Sequence, residues 1–448
     1  MGRPLRLHLA GLLAATVVSS TACGGARPQL VPAESPEIAT APGGLAESLG
    51  AGFDAYRSPG LDSRRFDPGR YWETLLGAID TEPDRFRVAQ IGTSIEGRPL
   101  RRIDFGGGDT TVMLWSQMHG NESTASRALV DVLRYLLENR SHPMVRRIES
   151  QLAVTIVPVV NPDGAARFVR HNALGIDLNR DARRLATPEA RALKAVRDDI
   201  DADWGFNLHD QNVRTRLGSS GRDVRIALLA PPPGPGEVTE VNGAARRMCS
   251  LLVGALEPVV ADQVARYDEG FNPRAFGDSM ARWGTSVVLI ESGGELGDPD
   301  KETLRRANYV ALLVALDAIA GDSWRQVSPQ RYLDLPLNAA WVYDLIVRGA
   351  SIVLPGRHPV RADFAVNYGD TLSKTDAQIV EVGDLGEAKA LEIIDGTALF
   401  FVPAADSLSQ EGGPHLRIGS PANGVLARDI GGIEVERRIG DVPAIQRR

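Results

Sequence analysis

His119 and Glu122 stand three residues apart in His119-Gly-Asn-Glu122, just after the apolar run Thr111-Val-Met-Leu-Trp115. Of the seven histidines in the chain, only His119 has an acidic residue at i+3. Where a strand gives way to a helix, an imidazole and a carboxylate at that spacing can reach one divalent zinc ion from two sides. Two ligands do not make a site, and a lone His-x-x-Glu arises by chance in many chains of this size. Other segments must supply the missing partners. In open α/β sheets, reactive groups gather where strands end and loops begin. Three further strand ends carry such groups here. One ends in the turn Asn161-Pro-Asp-Gly164, followed by Arg170 and Gly175-Ile-Asp-Leu-Asn-Arg180; the others end in His209 and in Glu291-Ser-Gly-Gly294.

With His209 added, the ligand set becomes His₂Glu with one coordination position open to water, the arrangement of a catalytic rather than a structural zinc. Such a metal acidifies its water and polarises a carbonyl oxygen. Glu291, at the end of an apolar strand, is the best-placed general base. Arg170 can face the oxyanion. Asn179 beside Arg180 suits capture of a carboxylate. Taken singly, each residue has a plainer reading. His209 reads as a satisfied core histidine, Glu291 as a loop or capping carboxylate, and the two arginines as solvated surface charges. Their order along the chain favours the joint reading of a zinc site that cleaves an amide next to a free carboxylate.

That order is Gly97-Arg-Pro, His119-Gly-Asn-Glu122, Asn161-Pro-Asp-Gly164, Asp177-Leu-Asn-Arg-Asp181, Leu208-His209 and Ile290-Glu291-Ser-Gly-Gly294. It resembles the zinc carboxypeptidase family typified by carboxypeptidase A, over roughly residues 66–322. The resemblance implies one zinc ion held by His119, Glu122 and His209, with Glu291 as base and Arg170 as oxyanion partner. It implies that Asn179 and Arg180 clamp the C-terminal carboxylate of a peptide, and that Tyr267 is the counterpart of a substrate-binding tyrosine. The segment from Asn272 to Trp283 should border the side-chain pocket, where Asp278 suggests a polar or basic terminal residue. Asn121 stands where pancreatic members have an arginine. The His-Gly-Asn-Glu and Asp-Leu-Asn-Arg pieces also occur in N-acyl amino acid hydrolases of the aspartoacylase type, which remain an alternative. A further alternative is a non-catalytic peptide- or wall-binding surface lipoprotein.

These residues need elements to position them. Strand-like runs at Thr111–Trp115, Ala153–Val160, Trp204–Leu208 and Thr285–Ile290 alternate with helical patterns at Glu122–Asn139, from Thr187-Pro-Glu onward, and at Lys301–Ile319. The alternation predicts an α/β fold, a mixed twisted sheet with helices on both faces. From about Ser323 the texture changes to short β-rich runs between Gly, Pro and Asp. This predicts a separate C-terminal β-sandwich-like domain over 323–448 without chemistry of its own.

At 448 residues the chain is long enough for two folded units. A net charge of −7, with no basic run interleaved with aromatics, excludes a nucleic-acid partner. Arg3 and Arg6, an apolar stretch from Leu9 to Val18 and the small residues before Cys23 predict a signal peptide over 1–22. Cys23 then becomes a candidate lipid anchor. The expected location is exported, periplasmic or at the cell surface, with 23–65 as a flexible tether and 66–322 as the catalytic domain. Only Cys249 accompanies Cys23, so no disulfide framework holds the fold.

Overall fold

The structure is a computed structural model that describes residues 42–338 and 340–440. The expected leader, Cys23 and the first part of the expected tether lie outside the described residues.

The N-terminal part opens with helices α1 (Pro42–Tyr56) and α2 (Pro68–Ile79) and strands β1 (Phe86–Thr93), β2 (Pro99–Gly106) and β3 (Thr110–Ser116). Helices α3 (Thr124–Glu138) and α4 (Pro143–Gln151), strand β4 (Leu152–Val157) and helices α5 (Pro162–Arg167) and α6 (Pro188–Ile200) follow. Next come β5 (Trp204–Asp210), β6 (Thr215–Arg216), β7 (Ile226–Leu229), α7 (Glu240–Val260), β8 (Val264–Arg266), α8 (Phe276–Arg282), β9 (Ser286–Ser292), α9 (Glu302–Ala320) and α10 (Gln330–Leu333). Eight strands form one mixed sheet in the order β1-β2-β4-β3-β5-β9-β7-β8, with β4, β3, β5 and β9 parallel at its centre.

Helix boundaries follow local chemistry. Asp67 caps α2 by accepting the Gly69 and Arg70 N–H groups, and Thr187 caps α6 by accepting that of Ala190; in both, proline fills the first helical position, where no N–H is needed. Asn161-Pro-Asp-Gly164, expected as a turn, is the capped first turn of α5, where the Asn161 side chain accepts the Gly164 N–H.

Two expected boundaries are corrected. Residues 42–65 are not a tether: α1 buries Ala46, Leu49 and Phe53 in the main core and touches α7 and α9, and Leu61 is also fully buried there. The β-rich part begins near residue 340 rather than 323, because Trp324 and Tyr332 belong to the main core.

The C-terminal part comprises β10 (Ala340–Trp341), β11 (Tyr343–Ile352), β12 (Val360–Asp370), β13 (Thr375–Gly383), β14 (Ala390–Asp395), β15 (Phe400–Pro403), β16 (Leu408–Ser409), β17 (His415–Leu416), β18 (Gly424–Ala427) and β19 (Val435–Ile439). Seven of these are connected in one hydrogen-bonded sheet. Its path is β13-β12-β11-β15-β18-β19, and β14 pairs the first half of β11 while β15 pairs its end. Leu345, Val347, Phe364, Val366, Ile379 and Phe401 lie in its core. β10 leaves this part altogether and pairs with β6 of the N-terminal part.

Candidate active site

The two histidines enter from adjacent strands. His119 follows β3 on a loop that begins with Gln117 in the left-handed region (φ 51°), and His209 lies near the end of β5. Gln117 pins that loop: its Nε2 donates to the Gly120 carbonyl and its carbonyl accepts the Asn161 N–H. Glu122 sits just before α3, and Glu291 near the end of β9 is paired in register with His209.

His119 Nδ1 lies 2.8 Å from Glu122 Oε1 and 3.2 Å from His209 Nδ1, and His209 Nδ1 lies 2.7 Å from Glu122 Oε2. Ligand atoms about 2.0–2.1 Å from a tetrahedral zinc are roughly 3.3 Å apart, so this buried donor set fits the ion without rearrangement of the backbone. The outer nitrogen of His119 is held by a residue to which the sequence reading gave no role. Asp177 Oδ1 lies 3.0 Å from His119 Nε2, and the other carboxylate oxygen accepts from Arg170 Nε and Nη2 at 3.1 and 2.9 Å. This contact fixes the tautomer that presents Nδ1 to a metal. Asp177 opens the motif Asp177-Leu-Asn-Arg-Asp181, two residues before Asn179 and three before Arg180.

Burial by itself would lower the His119 pKa, but Glu122 and Asp177 outweigh it and raise it to about 9. His209, fully buried with only Glu122 as an anionic partner, is lowered. Burial also opposes ionisation of Glu122, yet the two imidazoles hold its carboxyl well below the usual range. Glu291 goes the other way: burial first, then the Glu122 charge, push it well above an ordinary carboxylic acid. Tyr267 is raised to about 12, chiefly by the Glu291 carboxylate and then by burial.

A cleft of about 980 Å³ opens over these groups, and His119, Glu122, Arg170, Asn179, Arg180, Tyr267 and Glu291 all line it, with His209 buried against His119 and Glu122. Thus the structure brings His119, Glu122, His209, Arg170, Asn179, Arg180, Tyr267 and Glu291 together, whereas Asp278 does not line the cleft. Arg170 Nη1 also reaches Glu122 Oε1 at 3.3 Å. Three of the five guanidinium N–H donors are thereby engaged, and the other two remain for a substrate oxygen. Asn179 Oδ1 accepts the Phe276 N–H at 2.8 Å, which anchors α8 and leaves its amide NH₂ to donate. Asp278, on α8, is half committed already, since its carboxylate accepts the Asn272 N–H at 2.9 Å.

The other motif residues hold the scaffold. Asp163, fully buried, accepts from Ser94 Oγ, the Glu96 N–H and Arg98 Nη1, and so ties α5 to the Gly97-Arg-Pro turn. Asp181 accepts the Ala186 and Thr187 N–H groups ahead of α6. The cleft also takes residues from beyond the expected catalytic domain: Arg64 and Arg65 from the N-terminal lead, and Trp341, Asp370, Thr371 and Leu372 from the β-rich part.

A His₂Glu triad with a buried carboxyl beside it, at the C-terminal ends of parallel strands, is a donor set suited to one divalent metal ion. Residues 73–209 match the model of the zinc carboxypeptidase family. Carboxypeptidase E of Caenorhabditis elegans is 32% identical over 135 residues, which are 24% of this chain and 28% of that protein. Carboxypeptidase SOL1 of Arabidopsis thaliana is 28% identical over 102 residues, 21% of each chain. The chain therefore spans less than a third of the length of these curated relatives. Among solved structures, a metallo-carboxypeptidase from Burkholderia cenocepacia is similar over 58% of this chain and 70% of its own, at 19% identity and a TM-score of 0.47. Bovine thrombin-activatable fibrinolysis inhibitor, solved with tick carboxypeptidase inhibitor, is similar over 59% of this chain and 98% of its own, at 16% identity and a TM-score of 0.48.

Proposed function

We propose that this chain is a metallocarboxypeptidase that binds one zinc ion and removes the C-terminal residue of peptides, cell-wall peptides among them. It would act outside the cytoplasm, exported by its leader and held at the membrane through Cys23. The observation that supports it most is the convergence of His119, Glu122 and His209 in one cleft with Glu291, Arg170 and the Asn179-Arg180 pair. Bound by the triad, zinc would supply Lewis acidity toward a carbonyl and lower the pKa of a water.

The chain's own residues would do the rest. Arg180 and the Asn179 amide take the substrate's terminal carboxylate and set the scissile bond over the triad. Glu291 accepts a proton from the attacking water and returns it to the departing amine, so its raised affinity for a proton suits the second half of the task. Arg170 donates to the oxygen on which charge develops, and Asp177 keeps both Arg170 and His119 aimed.

The test is digestion of a mixed peptide library, read by mass spectrometry with and without a zinc chelator. Loss of single C-terminal residues that stops with the chelator is expected. Glu291→Gln should retain zinc and lose about 10²–10⁴-fold in kcat/KM. Full activity in that variant, or a preparation that binds no zinc, overturns the reading. Acetylated amino acids cleaved in preference to blocked dipeptides would instead place the chain with N-acyl amino acid hydrolases.

A further inference from the structure

The β-rich part does more than accompany the catalytic sheet. Three large apolar side chains stand exposed within the cleft: Trp341 at 64%, Leu337 at 43% and Val169 at 43%. Exposed apolar surface collected in a concave site beside reactive groups is what a ligand's apolar group covers on binding.

Leu337, Trp341 and Leu372 tie this wall to the segments that carry Tyr267, His209 and Glu291. Leu337 bridges to Arg266, next to Tyr267. Trp341 pairs with Thr215, on the loop that leaves His209. Leu372 Cδ1 lies 3.5 Å from where a Cβ at Gly294 would stand, three residues past Glu291. The terminal carboxylate clamp is fastened elsewhere, through Asn179 to Phe276 and through the Arg180 carbonyl to Arg274 Nε.

The wall is also held in place before any substrate arrives. Arg64 Nη2 contacts both Asp370 carboxylate oxygens at 2.5 Å and Ser373 Oγ at 3.1 Å, and Arg65 Nη2 reaches Asp370 at 2.8 Å. Arg214 donates to Asp344, to the Tyr368 carbonyl and to Thr371 Oγ1. A wall fixed in this way spares the ordering cost that a loose one would pay on binding.

We infer that the β-rich part forms the upstream wall of the cleft, in which Trp341 with Leu337 receives an aromatic or branched aliphatic side chain one or two residues before the scissile bond. This rests on the carboxypeptidase reading and gives it a second level of selection, independent of the terminal residue.

The experiment measures kcat/KM for blocked tripeptides that share one terminal residue and carry Phe, Leu, Gly or Asp upstream. The native chain should favour Phe or Leu over Gly by about tenfold or more. Trp341→Ala should bring that ratio to within about twofold, while Trp341→Phe keeps it. Ratios among different terminal residues, measured with the upstream residue fixed, should not change in either variant. Because Trp341 is exposed, neither variant threatens the fold. Cleavage without upstream preference, or a preference that survives Trp341→Ala, overturns this inference alone. A native chain that cleaves no peptide overturns the carboxypeptidase reading and this inference with it.

Discussion

At the residue scale, the distinction between His119 and His209 has consequences. His119 has a carboxylate behind it, whereas His209 Nε2 is buried without a hydrogen-bond partner. The metal affinity of the site should therefore depend on Asp177, and Asp177→Ala is expected to weaken zinc binding about 10–100-fold, as measured by competition with a chromogenic chelator. Unchanged affinity would reduce Asp177 to a surface partner of Arg170. Tyr267 gives a pH prediction. Its phenol is raised to about 12, so it stays protonated throughout the neutral and alkaline range in which an ordinary tyrosine begins to ionise. The alkaline limb of kcat/KM should then be the same in Tyr267→Phe as in the native chain; a limb near pH 10 that vanishes in the variant would contradict this. These chemical residues could be found in the sequence because few side chains bind zinc or capture carboxylates, and their order limits chance. Asp177 was harder to see, since a carboxylate that acts through another residue carries no spacing rule of its own.

At the element scale, the motif glycines are explained by close packing. A Cβ on Gly120 would come within 2.0 Å of the Gly164 carbonyl carbon, so the loop carrying His119 lies directly on α5, whereas a Cβ on Gly164 would meet Asn161 Nδ2 at 2.5 Å and the His171 carbonyl oxygen at 2.6 Å. Gly120→Ala should displace that loop and lower zinc content in the purified protein, while Gly97→Ala, which meets no atom within 4 Å but has φ 80°, should cost only about 1 kcal/mol or so of backbone strain and spare the metal. Helix α3 shows why periodicity misleads. Its pattern reads as amphipathic, yet Arg127 and Asp131 on its polar face are fully buried. Asp131 pairs with Arg305 of α9, and both side chains are 0% exposed. Arg305 also donates to the Leu61 and Ser58 carbonyls, which fastens the N-terminal lead. Burial keeps the Asp131 pKa raised even beside Arg305. Removing one partner leaves a buried charge alone, so Asp131→Ala should cost about 3–5 kcal/mol in urea unfolding. A cost under about 1 kcal/mol would mean that the network tolerates the loss. The glycines of α1 give it weak helix propensity, and contact with α7 and α9 supplies what the local residues lack.

At the scale of the whole molecule, the β-rich part and the N-terminal part share a cleft, and their junction is built from ion pairs that the sequence could not pair in advance. Arg64 and Asp370 are 306 positions apart, and Arg214 and Asp344 are 130 apart. Strand texture alone showed where β structure was, but a long-range partner follows only from topology. Burial would raise the Asp370 pKa, yet Arg64 and Arg65 hold it well below the usual carboxylate range. A depressed folded value contributes stability that is fully present above the unfolded value near 3.9 and is lost only as pH falls through the lower folded one. The junction should thus stay closed at mildly acidic pH. Arg214 tests whether the junction also serves the site, because it leaves the loop after His209 to reach Asp344, whose side chain is 1% exposed. Arg214→Ala strands that carboxylate and should destabilise the protein by about 3–5 kcal/mol. Adding Asp344→Asn removes the stranded charge and should restore much of the stability, but it cannot restore the tether on the loop. If the junction positions the site, the double variant regains its melting temperature while kcat/KM for peptides stays lowered about tenfold or more, and zinc content is unchanged. If stability and activity return together, Arg214 serves the fold alone, and the upstream wall must be held by Arg64, Arg65 and Asp370 without it.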